Sequence, residues 1–206
     1  MDTNGVYALT VRRVVHAEAV RLAAHGLVAL ALAGCGGSNP LDNPPTVTNP
    51  ASPGGQKLSF AYFQRCIDPI FNTVLGNNTC AASGCHDDRD GTGGALRIVP
   101  SAQTVDVTNP ANTPEFIRAS AMYRNFYSAQ GMTLLSSPPD SRLLTKPLVR
   151  GVLHGGGQIF SSDQDPNVRR ILYWISNPAP QGQDEFSSAT FSMFTPADPN
   201  VGACNS

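Results

Sequence analysis

The chain has 206 residues with 15 acidic and 14 basic side chains, a near balance that predicts no electrostatic attraction to nucleic acid. Hydrophobic residues make up 41% and charged residues 14%, with 19 glycines and 17 prolines, which describes a loop-rich globular chain rather than a long helical or transmembrane one. Five cysteines remain to be assigned, and how they divide depends on whether the protein leaves the reducing cytosol.

The N-terminus answers that question. Arg12, Arg13 and Arg21 precede an apolar run from Leu27 to Leu32, and small residues Ala33 and Gly34 lead to Cys35. A basic start, a short apolar stretch and small residues at a cleavage point are the parts of a signal peptide, and the run is too short to span a bilayer. Leu32-Ala33-Gly34-Cys35 resembles a bacterial lipobox, which implies cleavage before Cys35 and acylation of its thiol. Several acyl chains, at about 0.8 kcal/mol per buried methylene, make such an anchor effectively permanent. No Asp follows Cys35, which by the same resemblance favours the outer membrane, on the periplasmic side. The Pro/Asn/Thr-rich stretch that follows lacks periodicity and reads as a tether. The expected organisation is therefore 1–34 signal peptide, 35–57 lipidated tether and 58–206 one domain. Its roughly 150 residues suffice for a single core.

Within that domain the apolar residues Phe60, Phe63, Ile67, Ile70 and Phe71 recur at helical spacing, with Pro69 dividing two short pieces or starting the second. A turn-forming cluster, Gly76 to Thr79, leads to the cysteine segment Cys80 to His86, and Asp87 to Gly94 reads as a polar, solvated loop. Thr113-Pro114-Glu115 supplies a helix cap, a proline at the first helical position and an acid in the first turn. The helix it opens is predicted to run on through Phe116, Ala119, Ser120, Tyr123 and Tyr127 as one amphipathic element. The clearest helix opens at Asp165-Pro166 and places Val168, Ile171, Leu172 and Ile175 on one face, ending before Pro178; Trp174 beside that stripe reads as core. No internal repeat and no alternating strand pattern is present, so the fold class expected is mostly α with long loops.

The chemistry lies in Cys80-x4-Cys85-His86. Covalent haem attachment needs two thiols to add across two vinyl groups, with a histidine directly after the second so that its imidazole reaches the iron. The usual spacing has two residues between the cysteines, and here there are four, all small, which lets the extra pair bulge outward. The bland reading of the same residues is a local disulfide followed by a surface histidine. A zinc site of Cys80, Cys85, His86 and His154 has a suitable ligand count but competes with thiol oxidation outside the cytosol.

Cys66-Ile67-Asp68-Pro69-Ile70-Phe71, then Cys80 to His86, then Gly93-Gly94-Ala95-Leu96, resemble in order the single-haem c-type cytochrome domains of exported bacterial proteins. Ser141 to Pro147, His154-Gly155-Gly156-Gly157 and Ile171 to Ile175 look like the remainder of that pattern, so the resemblance spans about Phe60 to Asn177. It implies a cytochrome c-like helical domain around one covalent haem c, bound through Cys80 and Cys85 with His86 as axial ligand. Relatives carry Met-Pro-Pro or His-Gly-Gly shortly before the last helix, which makes His154 the second axial ligand. Met132, in another glycine-rich loop, is the runner-up, ahead of Met122 and Met193. Two imidazoles leave no open iron position, so electron transfer with an unidentified redox protein is expected rather than an enzymatic reaction. Lys146 and Arg150 are candidate partners for the haem propionates. With Cys35 acylated and Cys80 and Cys85 on haem, Cys66 and Cys204 remain as an even pair for a disulfide. The alternative is a haem-free structural or binding lipoprotein with a Cys66–Cys80 or Cys80–Cys85 bridge.

Overall fold

The computed structural model describes residues 56–195 and Cys204; the expected signal peptide, Cys35 and most of the tether lie outside them. All regular elements among the described residues are helical: α1 (Phe60–Tyr62), a π-helical turn (Phe63–Ile67), α2 (Asp68–Asn72), α3 (Pro114–Arg118), α4 (Ala121–Gln130), a 3-10 turn (Pro138–Asp140), α5 (Arg142–Thr145), α6 (Pro166–Ser176) and a second 3-10 turn (Ser188–Phe194). None is long and apolar enough to cross a membrane.

The first three elements form one helical segment whose apolar face is the one the sequence marks: Phe60, Phe63, Ile67, Ile70 and Phe71 are all buried. Pro69 explains the π turn inside it. A proline has no N–H to give the carbonyl four residues back, here Arg65, so the ladder shifts register and Asp68 N–H reaches Phe63 O instead. The orphaned Arg65 carbonyl is met by the Cys204 thiol at 3.7 Å.

The helix expected to begin at Thr113 starts there, with the Thr113 hydroxyl accepting from Phe116 N–H, but it does not continue. It stops at Arg118, and Ser120 caps a separate α4 by accepting from Tyr123 N–H at 3.0 Å. A serine hydroxyl competes with the backbone for that donor, and the competition resets the helix axis. The buried face shifts accordingly to Met122, Asn125, Phe126 and Ala129, and Phe116 stays exposed.

α6 follows the sequence closely. Asp165 accepts from Asn167 N–H, Pro166 occupies the first turn, and Val168, Ile171, Trp174 and Ile175 are buried. Trp174 is core, as its place beside the stripe predicts. Its ring lies 5.4 Å from Phe63 and 6.1 Å from Phe126, and its indole N–H donates to Ser59 O at 3.0 Å. Each such side chain contributes roughly 1.5–3 kcal/mol by leaving water, so this cluster fixes α6 against the first helical segment. α2 and α6 thereby present Ile70, Phe71 and Ile171 to a cavity on one side of the core.

An ion pair between exposed Arg118 and buried Glu185 ties the C-terminal segment to the rest. Glu185 is 4% exposed and accepts from Arg118 Nε at 2.9 Å and Tyr123 Oη at 2.8 Å. Burial works to raise its carboxyl, but its own backbone amide, Arg118 and Tyr123 outweigh that and hold it below its ordinary 4.5. A carboxyl depressed on folding adds stability that is complete above 4.5 and is lost as the pH falls through the lower folded value. Glu185→Gln is therefore expected to cost about 2 kcal/mol at neutral pH. Urea titrations at neutral and acidic pH check this: the wild-type advantage should shrink on acidification.

Candidate functional site

The Cys80–His86 loop closes through His86 N–H to Cys80 O at 3.0 Å, bringing the first cysteine beside the histidine despite the wide spacing. The four intervening residues do not bulge together. Ala81 tucks into the core, 3% exposed, with its N–H on Phe71 O, while Ser83 and Gly84 protrude. Gly84 adopts φ +81°, a left-handed conformation that glycine takes without penalty.

His86 is held from both sides of its backbone. Ile98 N–H donates to His86 O at 2.7 Å and Asp88 N–H donates to Ile98 O at 2.9 Å, a short parallel bridge. Its ring is fixed by Nδ1, 3.1 Å from Leu96 O, which assigns the proton to Nδ1 and leaves Nε2 as a free lone pair. Burial holds the imidazole below its ordinary 6.5, against the raising effect of the Leu96 bond, and the neighbouring His154, Arg97 and Lys146 push the same way. The ring is accordingly neutral and able to ligate a metal.

Gly93 makes this placement possible. A Cβ on it would lie 2.5 Å from His86 Nδ1 and 2.6 Å from Cys85 O, both closer than real contacts allow. The Gly93-Gly94-x-Leu96 run thus has two separate functions: a residue without a side chain under the ring, and a carbonyl that orients it.

His154 repeats the arrangement. Its Nδ1 is 2.7 Å from Gly157 O, in a turn closed by Gly157 N–H to His154 O, and Gly157 sits at φ +72°. Both imidazoles line the same cavity, with ring centres 6.2 Å apart and planes within 10° of parallel. The space between the cavity walls is about 720 Å³, a figure that includes open solvent. Its apolar walls include Ile70, Phe71, Leu143, Ile159, Phe160 and Ile171.

The other expected site residues divide. Cys80 lies in the cavity wall, and burial raises its thiol to about 11. Cys85 is half-buried and outside the wall, with Asn78 Nδ2 at 3.9 Å from its sulfur. Met132 lines the cavity, whereas Met122 and Met193 are buried in the core. Cys66 and Cys204 come together, with Cys66 Sγ 3.9 Å from Cys204 O, but as thiols: all four described cysteines are free. Lys146 reaches the cavity, while Arg150 turns away and pairs with Asp163. Arg142, which the Ser141–Pro147 resemblance includes without a role of its own, also lines the cavity, one helical turn before Lys146. Among the described residues no three His, Cys, Asp or Glu side chains converge as metal ligands, so the four-ligand zinc arrangement is not formed.

Comparison of the chain with protein-family models, with curated proteins and with solved structures finds no match in any of the three.

Proposed function

We propose that this chain is a single-haem c-type electron-transfer protein, exported and lipid-anchored at Cys35, with haem bound between His86 and His154. The observation that carries the reading is the pair of parallel imidazoles 6.2 Å apart, each with Nδ1 committed to a backbone carbonyl. His86 and His154 would be the residues that hold the metal, each through the Nε2 that its carbonyl-bonded Nδ1 leaves unprotonated. The 6.2 Å separation falls in the range of an offset ring stack, but a stack gives no reason for both Nε2 lone pairs to be left free. A site with two protein ligands suits a porphyrin, which supplies the other four donors itself, better than a bare ion.

The haem would supply a one-electron couple. The chain's own part would be to hold the group through His86 and His154, leaving no place on it for a substrate, and to keep the couple in an apolar setting. Ile70, Phe71, Leu143 and Phe160 exclude water, and low dielectric disfavours the more highly charged state. An imidazole in place of a thioether at the second position keeps the potential below that of His/Met cytochromes. Cys80 in the cavity wall is the better placed of the two thiols for a thioether bond. The alternative is a haem-free lipoprotein braced by a Cys66–Cys80 or Cys80–Cys85 disulfide.

The test is a pyridine haemochrome assay on full-length protein matured in a haem-competent periplasm. One covalently retained haem per chain is expected, with Cys80→Ala losing more of it than Cys85→Ala. A colourless product carrying a Cys80–Cys85 crosslink, found by mass spectrometry of a non-reducing digest, would overturn the reading in favour of the haem-free lipoprotein.

A further inference from the structure

The Leu96 carbonyl that orients His86 is itself held from behind. Leu96 C=O and Arg97 N–H belong to one planar, trans peptide unit, so the two groups point in opposite directions. The N–H donates to Ser128 Oγ on α4 at 2.6 Å, while the C=O lies 3.1 Å from His86 Nδ1. Turning the carbonyl away from the ring would therefore break the serine bond as well. Two residues on, the same helix grips the chain again. Asn125 is fully buried, and its amide would cost roughly 1–3 kcal/mol without partners. Its Oδ1 accepts from Val99 N–H at 2.7 Å, and its Nδ2 donates to Val99 O at 3.0 Å and to buried Asp68 Oδ1 at 2.8 Å. Between the two grips Ile98 turns the other way, donating to His86 O and accepting from Asp88 N–H. Residues 96–99 are thus a strap whose backbone groups alternate between His86 and α4, as in a strand. Asn125 and Ser128, three residues apart on one face of α4, take the place of a neighbouring strand.

We propose that Ser128 is a positioning residue for His86, acting through the Leu96–Arg97 peptide, and that it sets how strongly this imidazole donates to the metal. The second clause deepens the haem reading and rests on it; the first stands on the strap alone. A hydroxyl that accepts from a peptide N–H polarises the peptide and makes its carbonyl a stronger acceptor. A stronger acceptor keeps the proton on Nδ1 and raises the basicity of Nε2, and a more basic ligand favours oxidised iron.

The test compares the wild-type full chain with Ser128→Ala and with Ser128→Thr, which keeps the hydroxyl. Nitrogen-15 NMR of the imidazoles, in chain carrying no haem, reads the tautomer of each histidine. His86 is expected in the Nδ1–H form in wild type and in Ser128→Thr. Ser128→Ala should shift its ratio toward Nε2–H by about five-fold, the size of one ordinary hydrogen bond, and leave His154 unchanged. Redox titration of the haem-loaded proteins should give Ser128→Ala a higher midpoint potential, with Ser128→Thr near wild type. An unaltered His86 tautomer in Ser128→Ala, or an equal shift at His154, would overturn the positioning role. A shifted tautomer with an unchanged potential would overturn the influence on the metal and uphold the positioning. A wild-type chain that takes up no haem would overturn the haem reading, and the tautomer ratio would still decide whether Ser128 holds His86.

Discussion

Gly93→Ala is expected to lose the haem-holding site as completely as His86→Ala does. The added methyl would lie 2.5 Å from His86 Nδ1, 2.6 Å from His86 Cε1 and 2.6 Å from Cys85 O. Relief from the oxygen weakens the Gly93 N–H to Cys85 O bond at 2.6 Å, and relief from the ring requires the imidazole to leave its place. Leaving forfeits the Leu96 hydrogen bond that orients the ring. Overpacking of this kind costs roughly 1–3 kcal/mol, which a domain of this size survives. The measurable result is a folded protein, native by circular dichroism, with covalent haem reduced at least ten-fold. Gly94→Ala is a useful partner: nothing lies within 4 Å of its Cβ, but its φ of +82° strains any side chain, so it should lower stability while affecting haem retention far less. Equal haem content in Gly93→Ala and wild type would remove the claim that this glycine positions His86.

The second large effect is expected at His154. Replacement by Ala should convert a low-spin spectrum into a high-spin one, because one axial position is opened while His86 and Cys80 still hold the ring. Replacement by Met should restore a low-spin state at a higher potential, since a thioether favours reduced iron. Redox titration of the three proteins measures both effects. An unchanged spectrum in His154→Ala would show that another group, with Met132 in the same cavity as the first candidate, is the ligand. It would also reduce the 6.2 Å ring pair to a packing contact.

Several features of the fold are legible because they are local. Asp165-Pro166 opens α6 since the aspartate can accept the backbone donor and the proline needs none, whatever surrounds them. The face that α6 buries follows from spacing alone. Thr113 and Pro114 start α3 for the same reasons, but the break after Arg118 was not foreseen, because a serine caps a helix only where the incoming chain has already turned. Pro69 marked a disturbance without saying that a π turn would absorb it and that a thiol distant in sequence would meet the freed carbonyl.

Composition and motif order determined, by themselves, the helical class, the positions of the apolar faces, and the two histidines and two cysteines that the proposed chemistry uses. Those follow from periodicity and from side-chain type, which need no neighbours. Only the tertiary structure decided that the His86 and His154 rings lie parallel on one cavity, that Cys80 rather than Cys85 lines it, and that Arg142 lines it while Arg150 does not. Each of these is a relation between segments remote in the chain. Such relations are set by how α2, α5 and α6 pack around the core, and packing depends on the shapes of all the buried side chains together.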